Sequence, residues 1–261
     1  MREPVMWLCE QITGNRKTYG MNLIGGVRRD ITPEMKPKIL EVVDHLEKEW
    51  LKLIEAIVGD TPLMMRLKGV GVLKQEDAIS YCVTGPTARG SGVPIDSRVD
   101  HPYAAYGDLV PKKKVQEDGD ILARTIVRLE ETLDSIRLVR QGIQELPEGP
   151  IMADIPEEIP PGLEGIRVVE APRGESMHYV LTGEDNRPYR WKVRAPTYMN
   201  LESIPVMIQG LELADVPIAI ASYDPCFSCT ERLEVVDRHS GKIRIYTYDE
   251  LIQLSRDKRD R

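Results

Sequence analysis

Apolar residues along the chain follow two different periods, one in each half. In the first half they recur every three or four positions. Ile39, Leu40, Val43, Leu46, Trp50, Leu53, Ile54 and Ile57 predict one long amphipathic helix, with Thr32 as its cap, Pro33 at its first position and an end near Gly59. Leu122, Ile126, Leu129, Leu133, Ile136 and Ile143 predict a second. Two such helices imply a helical bundle core. Shorter signals flank them. Residues 4–14 read as the end of a helix stopped by Gly14, Gly25-Gly26 marks a turn, and Glu76 to Cys82 reads as a short helix or buried segment. The stretch Thr84 to Tyr106 is rich in Gly, Pro, Ser and Arg and reads as a structured loop.

Prolines 147, 150, 156, 160 and 161 then mark an extended connector, beyond which the period changes to two. Ile166 to Glu170, His178 to Leu181 and Tyr189 to Val193 predict a small antiparallel sheet, its last two strands joined by the turn Gly183 to Pro188. Asn200 is placed to cap a helix over Leu201 to Leu213. A hairpin, Leu233 to Asp237 with Lys242 to Tyr246, and a polar helix to Arg261 close the chain. The expected fold class is mainly α with a small antiparallel β-sheet (α+β). The expected division is a helical part over residues 1–146, a sheet and cysteine-motif part over 147–232, and an extension over 233–261.

Composition narrows the function classes. Of 261 residues, 41% are hydrophobic and 30% charged, which suits a packed core rather than disorder. The net charge is −7, and Lys112-Lys113-Lys114 is the longest basic run, so nucleic acid is not an expected partner. The apolar run Val216 to Ala221 is far below the ~20 residues that a membrane span needs, and no signal peptide is visible. Nothing in the spacing of Cys9, Cys82, Cys226 and Cys229 suggests a disulfide framework, so a reducing cytoplasm is expected.

Cys226-Phe227-Ser228-Cys229 places two thiols on one turn. Four readings fit that spacing: a zinc site, a thioredoxin-like redox pair, buried structural thiols, or half of a metal site completed by another chain. Zinc wants four ligands, and the remaining cysteines and His178 and His239 have no ligand-like spacing. The redox motif belongs near the start of a βαβ fold, not after a late helix.

The surrounding residues add a resemblance. Asp224-Pro225-Cys226-Phe227-Ser228-Cys229-Thr230-Glu231-Arg232 resembles the C-terminal DPCxxC signature of [NiFe]-hydrogenase large subunits, and its ending resembles the energy-converting, membrane-bound class. Gly25 to Asp30, Thr84 to Gly92, Asp100 to Tyr106, Glu170 to Glu175, Arg187 to Arg190 and Arg194 to Pro196 resemble, in the same order, elements of the 49-kDa subunit family of respiratory complex I. The resemblance covers the C-terminal part of that fold.

It implies roles. Cys226 would be a terminal nickel thiolate and Cys229 would bridge nickel and iron, the iron carrying diatomic ligands. Arg173 would sit over the open position of the metal. Asp224, catalytic with Arg173, and Pro172, on the cofactor, would shape the pocket. The reaction implied is H2 evolution or oxidation; the alternative is a complex-I-like quinone or sulfur-compound reductase without a functional metal centre. Without the resemblance, Arg173 reads as half of a structural ion pair, Arg89 and Arg98 as loop arginines lining an interface or binding a carbonyl, and His101 as a structural loop residue rather than a proton carrier. Trp7, Trp50 and Trp191 read as packing.

Two departures stand out. The family's first CxxC, its N-terminal glutamate and its N-terminal sheet are not in these residues, and Cys9 cannot replace a pair. Either these residues are a fragment of a longer chain, or the other CxxC is held by a partner, an N-terminal large-subunit half; the further partners implied are an iron–sulfur small subunit with its clusters and complex-I-like membrane subunits. The chain would then lie peripherally on the inner face of the cell membrane. A maturation protease is also implied, cutting after Arg232 and removing residues 233–261; the alternative is a retained C-terminal hairpin and helix.

Overall fold

The computed structural model describes residues 2–230, 235–236, 241, 243–244 and 246–259. Contacts divide the chain into two units, Met1–Pro225 and Cys226–Arg261. The expected boundary at 146/147 falls inside the first unit, in the connector.

The first unit opens with helix α1 (Arg2–Thr13), which ends where Gly14 takes a positive φ of 81°. Strands β1 (Asn22–Leu23) and β2 (Gly26–Val27) form a minimal hairpin around Gly25. Helix α2 (Lys36–Gly59) is the first predicted long helix, but it starts later than Thr32 and Pro33 suggest. Residues 32–35 form a separate turn closed by Met35 N–H to Thr32 O at 3.0 Å, and Pro37 occupies the first helical turn instead. Helices α3 (Thr61–Leu67), α4 (Gln75–Ser80), α5 (Gly85–Arg89) and α6 (Ser97–Asp100) are short. The predicted loop over Thr84 to Tyr106 therefore holds two helical turns, α5 being fully buried.

Helix α7 (Ile121–Gln144) is capped by the Asp120 carboxylate, which accepts from Ala123 N–H at 2.7 Å. It meets α2 through Ile39, Val43, Ile136 and Ile143, and the Trp50 indole N–H donates to Leu129 O at 3.0 Å. It also buries Val127 and Arg124, off the predicted stripe, because a further apolar cluster of Leu67, Ile121, Met207, Ala219 and Tyr223 gathers at its N-terminal end.

Strands β3 (Glu164–Ala171), β4 (Gly174–Thr182) and β5 (Pro188–Arg194) form the antiparallel sheet in the order β3-β4-β5. All three predicted strand cores fall within them. Helices α8 (Pro196–Leu201), α9 (Ile204–Ile208) and α10 (Val216–Ala221) follow. The expected helix from Leu201 to Leu213 does not form. Asn200 lies inside α8 with its side chain committed to buried hydrogen bonds, Pro205 starts the separate helix α9, and Gly210 turns the chain at φ 81°.

In the second unit the Cys226 turn is followed by a paired bridge of β6 (Val235–Val236) with β7 (Ile243–Arg244), and by α11 (Tyr248–Arg259). These match the predicted hairpin and polar helix in kind; most of the hairpin, and Arg232 with its expected cut, lie outside the described residues. Among the described residues no helix is long and apolar enough to cross a membrane. The architecture is mixed α+β, as the two periods of the sequence predict.

Candidate functional site

The β3–β4 hairpin turns at Pro172-Arg173, between the paired Ala171 and Gly174. Neither central residue takes a positive φ; the glycine that follows them, Gly174, does, at 129°. The turn is clamped from outside. Gly85 stands at φ 68° against it, and a Cβ there would lie 2.4 Å from Arg173 O. The buried Asn200 side chain accepts from Thr84 N–H at 2.9 Å and donates to Thr84 O and Arg173 O at 3.4 and 3.3 Å.

Held in this way, the Arg173 guanidinium reaches Asp224. Its Nη2 donates to Asp224 Oδ1 at 2.9 Å, and its Nε lies 2.8 Å from Oδ2 and 3.1 Å from the backbone O. This fork is the strong geometry for an arginine–carboxylate pair. The ion pair expected for Arg173 is thus made, with Asp224 as its partner. Asp224 has φ 54°, a left-handed conformation that a short polar residue tolerates.

Two arginines of α7 fix the segment entering Asp224. Arg128 Nη2 donates to Ser222 O and Arg124 Nε to Ser222 Oγ, both at 2.9 Å. Arg124 is fully buried, with Gly119 O and Gly71 O as further acceptors and the Tyr223 ring 5.6 Å away. Burial among neutral acceptors lowers its guanidinium to about 10, so it keeps its charge at neutral pH. Ser203 Oγ and Tyr223 Oη complete the support at 2.7 Å.

A cavity of about 330 Å³ opens here, with Pro86, Arg128, Glu131, Glu170, Pro172 and Asp224 in its wall. Arg89, also in its wall, is a buried hub that binds a backbone carbonyl, the second of its two expected readings, rather than lining an interface. It meets Glu131 at 2.5 Å, Glu170 at 2.9 Å, Asp96 at 3.7 Å and Ile95 O at 2.7 Å. Burial pushes the Asp96 carboxyl up, but the Arg98 hydrogen bonds and the Arg89 and Arg98 charges outweigh it and hold it below 3.8. For Glu170 burial outweighs Arg89 and the Ser97 amide, and the carboxyl is raised above 4.5.

The cysteine turn belongs to the second unit. Cys229 N–H donates to Cys226 O at 3.0 Å, and the Thr230 hydroxyl lies 3.2 Å from the same oxygen. The Ser228 hydroxyl is 3.5 Å from Cys226 Sγ; with the Cys229 amide it brings the Cys226 thiol down to about 7. A thiol so tuned is substantially ionised at neutral pH, the state in which sulfur binds soft metals. The donor set fits two of the ligands of a nickel–iron pair. Among the described residues no group of three or more His, Cys, Asp and Glu forms a metal site.

Gly85 and Asn200 escaped the sequence reading. Gly85 lay within the Thr84 to Gly92 element, whereas Asn200 carried no signal beyond its capping preference. Of the predicted residues, Pro172, Arg173 and Asp224 come together in the first unit, and Cys226 and Cys229 on one turn of the second.

Membrane-bound hydrogenase subunit alpha of Pyrococcus furiosus is 39% identical, with 98% of this chain and 63% of that one aligned. A subunit of the NADH-quinone oxidoreductase of Clostridium beijerinckii is 32% identical over 88% of this chain and 63% of its own length. Among solved structures, a chain of the membrane-bound sulfane sulfur reductase, an archaeal respiratory membrane complex, matches with a TM-score of 0.81 at 31% identity, covering 87% of this chain and 63% of that one. The chain spans about half to two thirds of the length of the curated relatives it matches. The family model described as respiratory-chain NADH dehydrogenase, 49 Kd subunit, matches residues 1–166 and 157–232, and the chain belongs to that family.

Proposed function

We propose that the chain is the catalytic, metal-holding part of a membrane-bound [NiFe]-hydrogenase large subunit, evolving or oxidising H2 within a multisubunit respiratory complex. The observation that carries this reading is the pair of thiols on one hydrogen-bonded turn, directly after the Asp224 that Arg173 grips. The names of hydrogenase relatives support it.

Cys226 and Cys229 would hold nickel and iron together with two thiolates from outside these residues. The bound pair supplies the redox and Lewis-acid chemistry that makes or breaks H2 from two protons and two electrons. Arg173, fixed by Asp224 and by the Gly85–Asn200 clamp, presents a guanidinium of set orientation. Pro172 and Pro86 give the cavity part of its apolar wall, and Asp224 puts a carboxylate there. Electrons would arrive through an iron–sulfur partner, and membrane attachment would come from complex-I-like subunits.

A second reading keeps the complex and changes the chemistry to quinone or sulfur-compound reduction. Membership of the NADH dehydrogenase family and the likeness to a sulfane sulfur reductase favour it. Metal analysis of the purified complex separates the two. Nickel and iron with H2 evolution that Cys226→Ser abolishes is the expected result; neither metal, alongside dye-linked quinone or polysulfide reduction, overturns it.

A further inference from the structure

Three cavities share walls along the face of the sheet that carries Glu170 and Glu175. The first, of about 330 Å³, is the one at Pro172 and Asp224. A second, of about 110 Å³, has Ser97, His101, Glu170 and Glu175 in its wall. A third, of about 390 Å³, is lined by His101, Tyr103, Arg167 and Glu175 among others. Glu170 is common to the first and second, and Glu175 and His101 to the second and third.

The two carboxyls stand directly opposite each other on β3 and β4. Opposed like charges on neighbouring strands repel, and each carboxylate is offset by its own arginine, Arg89 for Glu170 and Arg194 for Glu175. Ser97 binds both: its N–H donates to Glu170 Oε2 at 3.0 Å and its hydroxyl to Glu175 Oε2 at 3.2 Å. The Glu170 side chain is 5% exposed and that of Glu175 28%, while His101 is exposed, so accessibility rises along the row. The charges around the row are Arg89, Arg98, Asp96, Asp100 and Glu131 at the Glu170 end, and Arg194, 3.5 Å from Glu175, at the other. Tyr103 accepts from Glu170 N–H at 3.0 Å, leaving its own O–H to donate.

We propose that Glu170, Glu175 and His101 form a proton relay, organised by Ser97, that connects the cavity at Asp224 and Pro172 with solvent. During H2 evolution His101 imidazolium releases an N–H proton to water in the second cavity, which has room for a few waters at ~30 Å³ each. The Glu170–Glu175 pair takes up that proton, and Glu170 releases one to water in the first cavity. Only O–H and N–H bonds change. Each H2 formed draws two protons inward, its two electrons entering by the separate iron–sulfur route. The relay deepens the hydrogenase reading and rests on it.

The test uses the assembled complex carrying Glu170→Gln, Glu175→Gln or His101→Gln. H2 evolution from an artificial electron donor should fall at least about tenfold in Glu170→Gln and Glu175→Gln. Nickel and iron content should hold, the solvent deuterium isotope effect should rise, and added imidazole should restore part of the Glu175→Gln and His101→Gln rates. Infrared difference spectra taken across a pH step should show a carboxyl C=O band, from Glu170 taking up a proton, that Glu170→Gln removes. Wild-type rates and isotope effects in Glu175→Gln and His101→Gln overturn the relay. So does a loss of rate that tracks loss of nickel and resists imidazole. A wild-type complex without nickel or H2 evolution instead sinks the hydrogenase reading, while the infrared band still reports whether Glu170 takes up a proton.

Discussion

Arg89 does more for the fold than a place in a Gly-rich loop suggests. Its side chain is 1% exposed and faces Glu131, Glu170 and Asp96. Removing one partner from a buried charge cluster strands the others, at a cost of about 3–5 kcal/mol. Arg89→Met should therefore lose about that much stability in urea unfolding. Asp96 and Glu170 make opposite demands on pH. The Asp96 carboxyl is held below its ordinary value, so its stabilisation is complete above 3.8 and is lost as pH falls through the lowered folded value. The Glu170 carboxyl is raised, so its contribution is complete below 4.5 and is lost as pH rises through the raised value. Unfolding free energies measured against pH should show Asp96→Asn flattening the acid limb and Glu170→Gln flattening the loss that sets in as pH rises through the raised Glu170 value. At the hairpin turn, Arg173→Lys keeps the charge but loses the two-nitrogen fork on Asp224. It should reduce H2 evolution by about tenfold or more with metal content unchanged; full activity would show that charge alone is enough.

The elements around the hairpin give a sharper contrast. Gly85 and Gly69 both take positive φ, 68° and 70°, yet a Cβ at Gly85 meets Arg173 O at 2.4 Å and one at Gly69 meets nothing within 4 Å. Gly69→Ala should cost only the left-handed backbone term, about 1–2 kcal/mol, and leave activity intact. Gly85→Ala should cost more and also displace Arg173, lowering activity; equal effects of the two on activity would refute the clamp. The sequence shows this level unevenly. Helices α2 and α7 are legible because their apolar spacing is local, and the strands because alternation is local. The end of α8 is not, since Asn200 is spent on Thr84, 116 residues away, a commitment no local pattern encodes. Arg124 is invisible for the same reason: a charged residue off the apolar stripe reads as solvated until Gly71, Gly119 and Ser222 are known to surround it. The Pro172, Arg173 and Asp224 constellation was legible through motif resemblance rather than through periodicity.

At the scale of the whole molecule the number of thiolates decides what the chain can bind by itself. Cys226 and Cys229 share a turn, whereas Cys9 lies on α1 and Cys82 just past α4 at φ 53°. A nickel–iron pair held by four thiolates needs two more than this turn provides. Cobalt(II) tests the count directly, because the intensity of thiolate-to-metal charge transfer grows with the number of sulfur ligands. Titrated anaerobically at neutral pH, the chain alone should bind cobalt weakly, with absorption fitting two thiolates per metal. Cys226→Ser should halve that intensity, and Cys9→Ser should leave it unchanged. An intensity fitting four thiolates in the monomer, or one that falls with Cys9→Ser, would mean that the chain completes a site from its own cysteines. The half-site reading would then fail, and with it the need for an outside pair. A two-thiolate value would leave the other half of the ligand set to come from another part of the assembled complex, where the same Cys226→Ser change should also remove nickel.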